Sequence, residues 1–475
     1  MNSATLFAKT PPLKLFFIAS VPGAISMLAS ALYQTIDGVF VGRFLGSTAF
    51  AAVNLAMPFV IINNALADLI GVGSSVPISI SLGKKQEKEA SNIFTCACIM
   101  IVLTGAVVGG LMFAAAPLLI RLMGAEGEFA QLAVQYLRVY AICSPVTTIV
   151  FATDNYLRIC GMIKSSMFLN ILMSAMSAIL EFIFLGVLGW GVWAAAFATC
   201  FSMFICALIA LVPFFRRKTV LRFCRPRFSI AMLRQIVACG SPNFLNNIAG
   251  RITSILLNAI LVRLGGETAV SVYGILMYAD GIVQPLMYGT CDSLQPAVGY
   301  NWGAGKISRV RAIEKCCFTA SALISLLSIL VVAVFPEQIT HLFMADAEAD
   351  LLNLSVGALR IFSLTYITRW ISFATQSYML AIEKPLPASV ISVSTALIFP
   401  VILIIVLWPL GLTGIWINFA GTAFLAAILS LGILLKMRHE LMKPDVQEEA
   451  AELMLHLTHC FEPIFVSLLR NIGSK

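Results

Sequence analysis

Charge is what this sequence has least of. Only 11% of its 475 residues are Asp, Glu, Lys or Arg, and four are histidine. An ordinary soluble domain is about 25% charged, and the mean hydropathy of +0.94 lies at the other extreme. There is no HExxH helix, no nucleophile elbow and no phosphate-cradling glycine loop, so the common hydrolytic and phosphoryl-transfer sites are excluded. The twelve cysteines have no metal-type spacing; most (Cys96, Cys98, Cys200, Cys206, Cys316, Cys317) sit in apolar stretches as small hydrophobes. His456, His459 and Cys460 near the end are the nearest thing to a ligand cluster, but two His three apart need further ligands to hold a metal. No cofactor and no nucleic-acid partner is expected. No small-residue cleavage site follows the first apolar run, so it is expected to remain as a span.

Apolar runs are what the chain has in abundance, and about 20 residues cross a bilayer core of about 30 Å. Twelve candidate spans follow from the punctuation by Gly, Pro and charge: 13–41, 50–78, 93–119, 131–157, 166–188 and 191–214, then 235–262, 269–298, 316–336, 352–381, 388–408 and 412–435. Of the 31 Lys and Arg, 22 fall in connections on the amino-terminal side and three (Arg43, Arg121, Arg263) on the other. The positive-inside rule then places both termini in the cytoplasm of a multi-pass inner-membrane protein. The fold class is all-α.

The halves repeat. At an offset of 220, Pro22 meets Pro242, Arg43 meets Arg263, and Gly46 meets Gly266. A shift of two residues, expected near Gly83–Lys84 against Gly305–Lys306, brings Leu137–Arg138 onto Leu359–Arg360 and Gly189 onto Gly411. Two six-helix bundles entering the membrane in the same sense imply a pseudo-two-fold along the membrane normal and a cavity between them. The divisions are 1–214 for the first lobe, 215–234 for a basic linker, 235–436 for the second lobe, and 437–475 for an amphipathic tail on the cytoplasmic face. Prolines inside spans, Pro22, Pro58, Pro145 and Pro242 among them, can kink helices with or without a gating role.

Against this background Asp37, in the run Ala31 to Gly46, is conspicuous. A charge at a helix centre costs about 2.5–3.5 kcal/mol on insertion scales, so an acid there is a functional candidate. Tyr33 and Gln34, one turn earlier, could hydrogen-bond it. Asp68 reads equally as a cavity group or a packing partner, and Asp280 as facing a cavity. Asp154 and Asp292 read as wet or paired with Arg158 and Lys306. Arg138 and Arg360 read as structural anchors, and Arg251 and Arg369 as partners of Asp280 or the wall of an anion-accepting cavity. Met57, Tyr278 and Met287, with Phe59, Met277 and Tyr288, could form an adaptable apolar surface, or simply pack.

Six plus six spans, ALYQTIDGVFVGRFLG in the first and QPAVGYNWGAGKISRV (Gln295 to Val310) after the eighth, with Tyr136–Leu137–Arg138 and Leu157–Arg158–Ile159–Cys160–Gly161, resemble the multidrug and toxic compound extrusion family. The resemblance covers residues 10–436 and implies a transporter of small molecules rather than an enzyme. It places Asp37 at the family's first-span acid, and Glu181 and Ser177 where the fifth span usually has Asp and Asn. Both acids lie about 10 Å below the outer end of their spans, and two close carboxylates in low dielectric cannot both ionise cheaply. The family's sodium site in the other lobe has no counterpart, since Gly250–Arg251 and Arg369 stand where acids are needed. The implied function is export of amphipathic cations by proton antiport, from a monomer in the bilayer. Sodium coupling, or a lipid-linked oligosaccharide flippase of the same architecture, is the alternative.

Overall fold

The structure is a computed structural model that describes residues 3–343 and 349–438. The proposed tail helix and the His456, His459, Cys460 cluster lie outside the described residues. Among those described, nine helices are long and apolar enough to cross a membrane. Two of them are rods of 72 and 74 residues, Pro12–Gly83 and Ile230–Gly303. At 1.5 Å per residue each is over 100 Å long, more than three bilayer cores. Each is really two spans, parted where the backbone turns left-handed, at Gly46 (φ 85°) and Gly266 (φ 61°). A side chain is strained in that region, and glycine is not. With Asp350–Ser363 and Thr365–Ala381 taken as one span bent by 45°, nine becomes twelve, six in each half.

The backbone also locates the repeat. Gly46 and Gly266, and Gly189 and Gly411, share positive φ at the offsets read from sequence. The two-residue shift lies later than Gly83–Lys84. Lys85 and Gly305 are the left-handed residues of equivalent turns, and the next helices begin at Glu87 and Ile307, so the offset is still 220 there. It reaches 222 by Gly161 and Glu383. Lys84 and Lys306, which suggested the earlier shift, share charge but not a place in the turn. The helices also overrun the apolar windows at several ends: the third span runs Glu87–Leu122 and the ninth Ile307–Val334. Hydropathy stops at the first charges, whereas the backbone hydrogen-bond ladder continues into the interface.

Apolar packing shows how the halves meet. One buried cluster draws only on residues between Val41 and Cys200, a second only on residues between Leu257 and Trp416. A third takes in both halves, including Leu15, Ile80, Phe94, Ile236, Leu294 and Val298. This shared cluster sits at the end of the bundle that carries the basic connections. There the spans cross backbone to backbone: a methyl group at Gly73 would overlap the Ile236 carbonyl, at Gly240 that of Leu69, at Gly303 that of Ile80, and at Gly289 the main chain of Ala24. At the far end each half keeps its own cluster. The basic end is sealed.

Two extended pieces dress the sealed end. The amino-terminal helix Ser3–Lys9 buries Leu6 and Phe7. The Phe7 carbonyl accepts from Asn301 Nδ2 (3.1 Å) and Arg309 Nε (2.8 Å), and Arg309 also donates to the Thr10 carbonyl. Residues 216–229 connect the sixth span, which ends at Phe215, to the seventh, which begins at Ile230. Arg234 therefore belongs to the helix and not to the connection. The Arg222 amide donates to Ser91 Oγ (3.3 Å) and the Cys224 amide to Thr95 Oγ1 (3.2 Å), while the Asn92 amide group binds both the N–H and the carbonyl of Arg227.

Candidate functional site

Two polar centres lie within the spans. The first is in the amino-terminal half. Asp37 is 7% exposed and Glu181 0%, and the two carboxyl groups are near enough to act on each other electrostatically. Glu181 is the last α-helical residue of the fifth span, which continues as a π-turn, Phe182–Val187; such turns recur at functional positions. Among the described residues no donor reaches either Glu181 oxygen, and the facing group is Asp37. Nor does Ser177 serve it, for its buried hydroxyl has no hydrogen-bond partner among the described residues. Tyr33 shares its hydroxyl hydrogen bond with Thr199, and Gln34 is exposed. Neither bonds Asp37 as the helical spacing suggested, because the Tyr33 ring reaches across to the sixth span and Gln34 points outward. Around the pair stand Tyr136 and Tyr140, buried, with ring centroids 5.2 Å apart. Sequence reasoning did not assign Tyr140 or Thr199 a part here; neutral hydroxyls carry no insertion penalty that would single them out. Tyr136 entered only through its motif.

The second centre is a cavity of about 700 Å³ between the halves. It is walled by Ser26 and Ser30 of the first span, Asp68 of the second, Asp154 and Arg158 of the fourth, Arg251 of the seventh and Asp280 of the eighth, among others. Seven carboxamides face it as well, from Asn155 to Gln295. Most of its charge is already matched. Asp154 meets Arg158 at 2.7 Å and accepts from Ser166 Oγ (2.5 Å) and Asn170 Nδ2 (2.8 Å). Asp280 meets Arg369 at 2.6 Å and accepts from the Tyr366 hydroxyl at 3.0 Å. Asp280 thus faces the cavity, and of the two alternatives for the arginines Arg369 takes the pair with Asp280 while Arg251 takes the cavity wall. Asp292 accepts from Ser377 Oγ (2.7 Å) and Gln295 Nε2 (2.8 Å) in place of the expected Lys306. Lys306 stands instead just before the next helix, Ile307–Val334.

The apolar surface expected of Met57, Tyr278 and Met287 does not line this cavity. Met57 packs against the first lobe's cluster, Met287 is 2% exposed within the second's, and Tyr278 is 59% exposed on the outside of the bundle. Met277, Asp280, Gln284 and Tyr288 share the inner face of the eighth span. One residue rotates a side chain by 100°, which carries Tyr278 and Met287 off that face. Arg138 lies over the Phe113 ring at 5.0 Å, in keeping with an anchoring part. No group of three or more His, Cys, Asp or Glu could hold a metal among the described residues.

Two six-span halves, sealed at one end and enclosing a polar cavity from both sides, define a membrane transporter of the alternating-access kind. The chain belongs to the MatE family, whose model matches residues 22–183 and 242–406. Among curated relatives, multidrug export protein MepA of Staphylococcus aureus is 24% identical over 439 residues, 92% of this chain and 96% of that protein. MepA of Staphylococcus saprophyticus is 24% identical over 413 residues, covering 86% and 90%. Among solved structures, a MATE in complex with MaL6 superposes with a TM-score of 0.87 at 25% identity, covering 93% of this chain and 98% of that one. A MOP superfamily transporter from Pyrococcus furiosus, described by the reverse polarity of its binding pocket, gives 0.87 at 25% identity over 93% and 99%. An outward-facing multidrug resistance MATE transporter gives 0.87 at 24% over 93% and 99%.

Proposed function

We propose that the chain is a secondary active exporter of small molecules that exchanges its cargo for protons at Asp37 and Glu181. In this reading both termini and the basic linker are cytoplasmic, in the inner membrane of a bacterium. The lobes lie on either side of the connection 216–229, the first ending at Phe215 and the second beginning at Ile230, and the sealed basic end makes this the outward-open state. The observation that carries the proposal is the acid pair: two buried carboxyl groups that act on each other, with no ion pair to a cation among the described residues. Such a pair is held cheaply only with a proton between them, so proton loss and gain there are bound to conformation.

The first span connects the two centres. Ser30 lines the cavity and Asp37 follows it by seven residues, about 10 Å further out. Protonation that lets the first span bend or repack is thereby felt at the cavity wall. A sodium site in the second lobe finds no support, because its buried acid, Asp280, already holds Arg369. A flippase for lipid-linked pyrophosphates needs a strongly cationic chamber, and this one has Asp68, Asp154, Asp280 and Asp292 against Arg158 and Arg251.

The test is export from proteoliposomes under an imposed pH or sodium gradient. Wild type dissipates the pH gradient in a substrate-dependent way and Asp37→Asn does not. Proton-driven export retained by Asp37→Asn, or a response to sodium alone, overturns the proposal.

A further inference from the structure

Within the cavity two charged side chains have no counterpart among the described residues. Asp68 and Arg251 make no hydrogen bond or ion pair to any described residue, whereas Asp154 and Asp280 are matched by Arg158 and Arg369 and Asp292 by Ser377 and Gln295. Asp68 belongs to the first lobe and Arg251 to the second. They are also set at different depths. Where the second and seventh spans cross, Gly240 lies on the Leu69 main chain. Asp68 is one residue from that crossing and Arg251 eleven, so about 15 Å of helix rise separates their backbones. Asp68 stands near Asp154 at the lower end of the chamber, and Arg251 near Tyr273 at the upper.

A charge facing a water-filled chamber without a partner is kept solvated until a solute replaces that water. From this we propose that the exported solute is dipolar: a cationic group docks at Asp68, an anionic group at Arg251, and uncharged polar atoms between them meet the carboxamides. Asn246 has no hydrogen bond to a described residue and the Asn243 side chain makes none, so both amides have free capacity for cargo. Arg251 is also the reason a purely lipophilic cation is a poor match, since it meets a like charge in a chamber walled largely by polar groups. Because the two anchoring residues come from different lobes, only a solute with both charges bridges the lobes. The inference rests on the cavity being the solute path.

The experiment is equilibrium binding to the purified full chain in detergent, with no gradient imposed. The probes are a rhodamine dye with a free carboxylate, its methyl ester, and fluorescein. They share one ring system and carry both charges, the cation alone, and the anion alone. The free acid binds best, about tenfold tighter than the ester, the size of one charge-assisted contact. Arg251→Ala removes that preference and Arg251→Lys keeps most of it. Asp68→Asn weakens the free acid and the ester alike while sparing fluorescein. An ester that binds as well as the acid, a preference that survives Arg251→Ala, or no binding of any dye overturns the inference. Binding with the expected preference, but no gradient-driven export in vesicles, instead removes the exporter reading and leaves the dipolar site in place.

Discussion

Asp280 shows what a single carboxylate needs when it is held inside the bundle. It has two donors, Arg369 and Tyr366, and removing the stronger leaves a partly buried charge answered by one hydroxyl. Arg369→Ala should cost about 2–3 kcal/mol, below the figure for a fully buried pair because about a quarter (24%) of the Arg369 side chain stays wet. Thermal unfolding in detergent measures this. The double variant Arg369→Ala/Asp280→Asn should recover most of the loss, and an unperturbed single variant would show that the pair is not structural. Glu181 is the opposite case, an acid with no donor among the described residues. Glu181→Gln should leave the fold intact and abolish pH-gradient-driven export. Unchanged export would remove Glu181 from the mechanism. Sequence singles out such residues because a charge in an apolar run is costly wherever it points. It did not single out Tyr140 or Thr199, which cost little, nor decide between Met277 and Tyr278, whose neighbours in lipid and in core are equally apolar.

Among the elements, the crossings at the basic end are where backbone shape decides most. Nothing but glycine fits at Gly240, against Leu69, or at Gly73, against Ile236. Gly240→Ala should therefore pry the basic end apart, and spin labels at Lys84 and Lys306 should report a longer distance between the two turns. Gly274→Ala is the control, since a methyl group there meets nothing within 4 Å. Equal distance distributions in the two variants would mean that the crossings do not hold the seal. Arg309→Ala, which releases the Thr10 carbonyl and leaves that of Phe7 to Asn301 alone, should act in the same direction and more weakly. The spans themselves were legible from apolar length, and the gaps between the windows, 42–49 and 263–268, hold Gly46 and Gly266, which the repeat had paired. The bend between Ser363 and Thr365 was not, because no Pro or Gly marks it.

For the whole molecule, orientation is the property that the packing leaves symmetric and the charge does not. Among the described cysteines only Cys224, in the connection between lobes, is exposed. In a Cys460→Ser background, a membrane-impermeant maleimide should label it in inside-out vesicles and not in intact cells. Labelling from outside would invert the topology and make the sealed end extracellular. The same connection has a mechanical consequence. Ser91, Asn92 and Thr95 hold it against the third span as far as Arg227, and the seventh span starts at Ile230. The leash thus rides on one lobe for nearly its full length, and its slack is Phe228 and Ser229. Any rocking of the second lobe is paid out over those two residues, so the chain's long, basic and outwardly floppy tether is in practice a short pivot.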